Sequence, residues 1–210
     1  MSKVIFLDAG HGSINPATGE YVTPGKSYRH PRHKFHEDDL FLEGVFNRQM
    51  ADKIESRLND LGVDVHKVYH EWRDWSLDMR VNTANQLHKT TPGIYISLHA
   101  NAATEKRAGQ ARGFEIFTSP GKTRSDMIAE HIYLEVEKAF PGMRMRPDTS
   151  DGDHDKEANF RVLTRTNMPA VLIEFGFFDN LQDAIMMHNK MWQDRAAVII
   201  SNVLAEWAKK

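Results

Sequence analysis

Three short apolar runs each end in a side chain able to bind a metal or accept a proton. They are Val4-Ile5-Phe6-Leu7-Asp8-Ala9-Gly10-His11, Ile94-Tyr95-Ile96-Ser97-Leu98-His99 and Val171-Leu172-Ile173-Glu174. Short apolar runs bounded by turn signals predict buried strands. From Leu40 to Leu61 the pattern changes, with Leu42, Phe46, Met50, Ile54, Leu58 and Leu61 at spacings of three and four. This predicts a helix, which Gly62 ends. Val63 to Tyr69 reads as a strand, Leu77 to His88 as a second helix, and Pro92-Gly93 introduces the strand that ends at His99.

Gly113 to Thr118 alternates as a further strand does, and a helix is expected over Ser125 to Phe140. A strand from Ala170 to Glu174 and a closing helix from about Leu181 to Trp207 complete the order. Residues 13–37, with Pro16, Gly19, Pro24, Gly25 and Pro31, read as a long surface loop, and 141–159 as a second polar one. Strands alternating with helices predict a single α/β domain over residues 1–210: a mostly parallel twisted central sheet with helices on both faces.

At 210 residues and 40% hydrophobic content the chain can bury one substantial core without help from disulfides or oligomerisation, so a monomer is expected. The 27 Lys and Arg balance 29 Asp and Glu, which gives no electrostatic reason to expect nucleic acid or an anionic membrane. With no Cys, a thiolate metal site and a cysteine nucleophile are excluded, and any metal must sit on His and carboxylate. No stretch approaches the ~20 apolar residues that cross a bilayer. The first apolar run is too short for a secretory signal, so the chain is expected to start out in the cytoplasm and to reach an outside target only through another agent.

In open α/β sheets the carboxyl ends of the strands line the ligand crevice, so His11, His99 and Glu174 can meet there. Glu43 is a fourth candidate. At about 100° per residue it projects within ~20° of Met50, Ile54 and Leu61, which centres a carboxylate on the helix's apolar face. A buried carboxylate without a partner is costly, and a bound cation removes the cost. The alternative is a frayed first turn that leaves Glu43 in water. Gly10 and Gly12 around His11 permit a tight turn and close backbone approach. A lone strand-end His is more often structural, and Glu174 could be paired with an Arg, but together the two His and two Glu suggest a catalytic zinc site.

Other motifs carry less. Ser119-Pro120-Gly121-Lys122-Thr123 lacks the first glycine of a phosphate loop, where Ile116 stands. His36-Glu37 and His70-Glu71 lack the second His of the helical zinc-protease motif. Asp148, Asp151, Asp153 and Asp155 resemble a calcium loop, but Lys156 replaces its glycine and Val162 its final glutamate, so a solvated loop at the site's rim is expected. Trp192, Trp207, Ile199 and Ile200 read as core. His30, His33 and His36 read as loop residues, with a second metal as the alternative.

Several segments resemble one family. Asp8-Ala9-Gly10-His11-Gly12, Glu43 with Asn47 and Ala51, Arg80-Val81-Asn82-Thr83-Ala84-Asn85, Ser97-Leu98-His99-Ala100-Asn101-Ala102 and Met168-Pro169-Ala170-Val171-Leu172-Ile173-Glu174-Phe175-Gly176-Phe177 are similar in order to the zinc-dependent N-acetylmuramoyl-L-alanine amidases of the type-3 fold. These act in bacterial wall remodelling and as phage endolysins. The resemblance implies one catalytic Zn2+ held by His11, Glu43 and His99, Glu174 as the uncoordinated general acid/base, and peptidoglycan as substrate.

The segment between His11 and Glu43 is longer than is usual in the family, and His30, His33, His36, Glu37 and Asp39 within it are rival ligands to Glu43. No inserted helix of the kind that plugs some cell-division relatives is evident, which favours an always-active phage lysin. A zinc peptidase or deacylase, and a catalytically silent wall-binding module, are the competing functions.

Overall fold

The computed structural model describes residues 3–35 and 38–210. In chain order its strands are β1 (Val4–Ala9), β2 (Ser27–Arg29), β3 (Leu40–Leu42), β4 (Val65–Lys67), β5 (Gly93–Asn101), β6 (Glu115–Thr118), β7 (Lys156–Glu157) and β8 (Ala170–Phe177). The helices are α1 (Glu43–Asp60), α2 (Leu77–His88), α3 (Arg124–Ala139), α4 (Arg161–Thr164), α5 (Leu181–His188) and α6 (Lys190–Ala208). Six strands form one sheet in the order β4-β1-β5-β8-β6-β7, and β2 pairs with β3 apart from it. The pairs β4/β1, β1/β5, β5/β8 and β6/β7 are parallel, whereas β6 runs antiparallel to β8.

Alternation along the strands sorts the two faces. Ile5 and Leu7 of β1, Ile94, Ile96 and Leu98 of β5 and Val171 and Ile173 of β8 pack with Phe46, Met50 and Ile54 of α1, Ile128 and Ile132 of α3, and Ile200 and Leu204 of α6. The opposite side chains, Val4, Phe6, Tyr95, Ala170 and Leu172, meet Val81 and Ala84 of α2 and Val162 and Leu163 of α4. Both faces are covered, as a largely parallel sheet requires. Trp192, Trp207 and Ile199 pack against the first cluster and Ile200 lies inside it, as expected of core residues.

The structure corrects several sequence expectations. The helix anticipated from Leu40 begins at Glu43, because Leu40–Leu42 pair antiparallel with Ser27–Arg29. The segment 13–37 is therefore no plain surface loop: besides β2 it has a bridge between Ile14 and Tyr21, and it buries His30 and Phe35. The single closing helix is two, α5 and α6, divided at Asn189, whose side chain caps α6 by accepting from the Met191 and Trp192 amides. In the second loop Met145 bridges Phe114, and Lys156–Glu157 form β7. Its Asp155 is not solvated but buried, accepting from Thr118 Oγ1 at 2.6 Å.

Candidate active site

Parallel, in-register pairing of β1, β5 and β8 brings their carboxyl ends to one edge. His99 stands opposite Glu174, and Glu174 opposite Glu115 of β6. On the other flank of His99 lies Gly10, where a Cβ would come within 2.0 Å of the His99 Cε1. Gly10 therefore leaves the space that the second imidazole fills.

His11 follows with a φ of 62°, a left-handed conformation that costs a non-glycine residue on the order of 1–3 kcal/mol. Its carbonyl oxygen accepts from Arg48 Nη2 at 2.9 Å and from Arg80 Nη2 at 3.1 Å. Arg48 donates also to the carbonyls of Gly44, His70 and Glu71. Arg80, fully buried on α2, donates to the Ala9 and Trp75 carbonyls and pairs with Asp8 and Asp74. Asp8 accepts a 2.7 Å hydrogen bond from Ser97 Oγ. Burial alone would raise the Asp8 pKa, but the Arg80 charge and the hydrogen bonds hold it below the usual range.

Glu43 opens α1 and is 1% exposed. The helix start presses onto the His11 turn: a Cβ on Gly44 would meet the Gly12 carbonyl oxygen at 1.7 Å. One turn on, Asn47 donates to the Gly10 carbonyl at 3.1 Å, tying α1 to the end of β1. Glu43 Oε1 lies 3.4 Å from His11 Nε2 and 3.1 Å from His99 Nδ1, and accepts from the Ala100 amide at 3.3 Å. The imidazole planes cross at 89° with centroids 5.1 Å apart.

Ligand atoms of His11, Glu43 and His99 all fall within 4.8 Å of one another, and among the described residues they form the only His, Asp and Glu group so arranged. Burial lowers the His11 pKa to about 4, with Glu43 opposing, so at neutral pH the ring is the uncharged form that binds metals. Glu43 is held below its normal range: burial works against this, and the His99 hydrogen bond and the two imidazoles outweigh it. Glu43 Oε2 is buried with no hydrogen-bond partner. Two imidazoles, a carboxylate and that orphaned oxygen suit a bound cation, and His2Glu is a standard catalytic zinc set.

Glu174 stands beside this trio but outside it, and its Oε2 likewise lacks a partner. Burial pushes its pKa well above the carboxylate range, and the charges of Glu43 and Glu115 add to the effect. Glu115 accepts from Asn101 Nδ2 at 2.6 Å and pairs with Arg146 and Lys156. The site opens into a cavity of about 290 Å³. Lys26, Asp74 and Arg80 supply polar lining, and Leu77, Phe160, Val162 and Leu172 an apolar wall.

The rival ligands find other places. Asp39 pairs with Arg29, and His30 Nε2 is hydrogen-bonded to the Phe178 carbonyl at 2.8 Å. His33 belongs to no metal-holding group among the described residues, while His36 and Glu37 lie outside those residues. His70 accepts from the Trp72 and Arg73 amides in a local turn. At the start of α3 the Asp126 carboxylate accepts from the Thr123 amide, so the segment read against a phosphate loop forms a helix capping box. Sequence reading singled out neither Arg48, Glu115 nor Lys26. For Arg80 a signal existed: at 77, 80, 84 and 87 it falls on the apolar stripe of α2, the same argument that marks Glu43.

The model of the N-acetylmuramoyl-L-alanine amidase family matches residues 5–206. The N-acetylmuramoyl-L-alanine amidase LytC of Bacillus subtilis is 27% identical over 203 residues, covering 95% of this chain and 34% of LytC. The endolysin of Bacillus phage SPP1 is 25% identical over 197 residues, covering 89% of this chain and 59% of the endolysin. This chain thus spans about a third of the one relative and under two thirds of the other. The catalytic domain of CwlV, an amidase from Bacillus (Paenibacillus) polymyxa var. colistinus, shares the fold with a TM-score of 0.71 at 24% identity, covering 98% of this chain and 97% of that domain. On the family match and the shared fold, this chain belongs to the N-acetylmuramoyl-L-alanine amidase family.

Proposed function

We propose that this chain is a zinc-dependent hydrolase of the amide bond joining the lactyl group of N-acetylmuramic acid to the L-alanine of the peptidoglycan stem. The observation that carries this reading is the convergence of His11, Glu43 and His99 beside an unpartnered Glu174, in a chain of this family. His11, Glu43 and His99 would hold the ion, which supplies Lewis acidity towards the scissile carbonyl and an acidified water.

Glu174 accepts the proton of the attacking water and returns it to the departing alanine amine, a role typically contributing 10²- to 10⁴-fold. A second carboxylate bound to the metal would lose the basicity that this step needs, which is why Glu174 stands apart from the trio. Arg48 and Arg80 act through the His11 carbonyl and keep its ring aimed at the site. The apolar wall of Leu77, Phe160 and Val162 gives the substrate a dry surface.

The finer biological role we infer is that of a phage lysin, supported by the similarity to the SPP1 endolysin. No described helix is long and apolar enough to cross a membrane.

Purified sacculi test the chemistry. Zinc-loaded protein is expected to free stem peptides bearing new L-alanine amino termini while leaving the glycan strands intact. A chelator should lower the rate at least about 100-fold and added zinc should restore it. New ends inside the stem, release of acetate, or binding without cleavage would each contradict the proposal.

A further inference from the structure

Lys26 lies in the segment between His11 and Glu43, and its backbone is fixed against the site. Its carbonyl accepts from the Glu43 amide at 3.0 Å and from the Tyr21 hydroxyl at 3.0 Å. The same hydroxyl accepts from the Gly44 amide at 2.9 Å, so Lys26 is clamped to the first turn of α1. From there its half-buried side chain lines the cavity that holds His11, His99 and Glu174. Its charge is felt at His11, Glu43 and Glu174.

Among the described residues, three Lys or Arg side chains line this cavity: Lys26, Arg80 and Arg161. Arg80 is neutralised by Asp8 and Asp74, and Arg161 by Asp78. Lys26 has no carboxylate within ion-pair distance among the described residues. An uncompensated ammonium beside a metal site repels the cation there. An anionic ligand arriving between the two reverses that cost and gains a charge-assisted hydrogen bond. The cavity therefore asks for a substrate with a negative charge close to the scissile bond.

In a muramoyl stem the ionisable group nearest the scissile amide belongs to the second residue. That residue is joined to the third through its side-chain carboxyl, so its α-carboxyl projects free or is capped as an amide. We propose that Lys26 forms a subsite for this α-carboxylate and makes the chain distinguish a free-acid stem from an α-amidated one. The inference rests on the amidase reading above and names a specificity within it.

The test uses two muramoyl tripeptides that differ only in the α-carboxyl of the second residue, acid or amide, with zinc-loaded wild type, Lys26→Met and Lys26→Arg. Wild type is expected to show a KM for the acid roughly tenfold or more below that for the amide, the scale of one charge-assisted hydrogen bond. Lys26→Met should bring the ratio of the two KM values to about one, and Lys26→Arg should keep the preference. In a Glu174→Gln background, calorimetry should return the same acid-to-amide preference as a ratio of Kd values without turnover.

A wild-type ratio of one overturns the subsite while leaving the amidase reading intact. So does a preference that survives in Lys26→Met, including an equal loss of kcat on both ligands, which would mark Lys26 as a contact to the developing oxyanion. Failure of wild type to cleave either tripeptide overturns the amidase reading and the subsite with it.

Discussion

The His11 carbonyl receives two guanidinium hydrogen bonds while its own backbone sits in a left-handed conformation. Strain of this kind persists where the surroundings over-determine it. Here the surroundings are Arg48 on α1 and Arg80 on α2, both of which donate to the one His11 carbonyl. Arg80 also neutralises Asp8, which is 1% exposed. Removing one member of a buried pair leaves the other charge uncompensated, a loss of about 3–5 kcal/mol. Arg80→Met is therefore expected to lower the free energy of unfolding by that amount in a urea titration, and a change under ~1 kcal/mol would contradict the pairing.

A charge on an apolar helical face is readable from spacing alone, which is how Glu43 stood out. Glu115 could not be read so. It alternates in a strand like any solvent-facing residue, and it is buried because Arg146 and Lys156, more than thirty residues away, come to neutralise it.

At the level of elements, the strands that carry the site announced themselves as apolar runs, although β5 continues past His99 to Asn101 and β8 past Glu174 to Phe177. Boundaries set by distant partners did not. Leu40 and Leu42 continue the helical spacing into α1, and nothing local shows that Ser27–Arg29 will claim them as a strand. The break at Asn189 had a local sign, a capping residue inside an apolar period, which the period itself obscured. The antiparallel run of β6 was not read from the sequence; in the structure residues 102–114 contain no α-helix to serve as a crossover, and a parallel return usually needs one.

Beside β6, the Asp155 carboxyl accepts from Thr118 and fastens the second long loop to the sheet edge. Burial pushes its pKa up to about 7, and neighbouring Asp153 adds to the shift. Between the unfolded value near 3.8 and about 7 the folded chain holds a proton that the unfolded chain has released. Stability from this group therefore falls as pH rises through that window and is level above it. Asp155→Asn keeps an acceptor for Thr118 without the charge. It is expected to gain about 1–3 kcal/mol over wild type at pH 8 relative to pH 4 in denaturant titrations. An equal difference at both values would remove Asp155 from this role.

For the molecule as a whole, a sheet covered on both faces delivers residues from β1, β5 and β8 to one edge, and α1 adds Glu43 from the side. The layered α/β plan could be anticipated because it depends on periodicity, and the meeting of His11, Glu43 and His99 because apolar runs and helical spacing, both local properties, marked each of them. The lining of the cleft could not, since Lys26 and Phe160 lie outside the regular elements and Arg161 opens a helix of only four residues, too short to show a period.

The proposed chemistry divides the site between three residues that would hold the ion and one carboxylate left free. The most direct test is zinc content measured alongside turnover in Glu174→Gln. The expected result is about one zinc per chain, as in wild type, with turnover down at least about 100-fold, the size of a lost general acid/base. Loss of zinc would make Glu174 a ligand, and activity close to wild type would remove it from the chemistry.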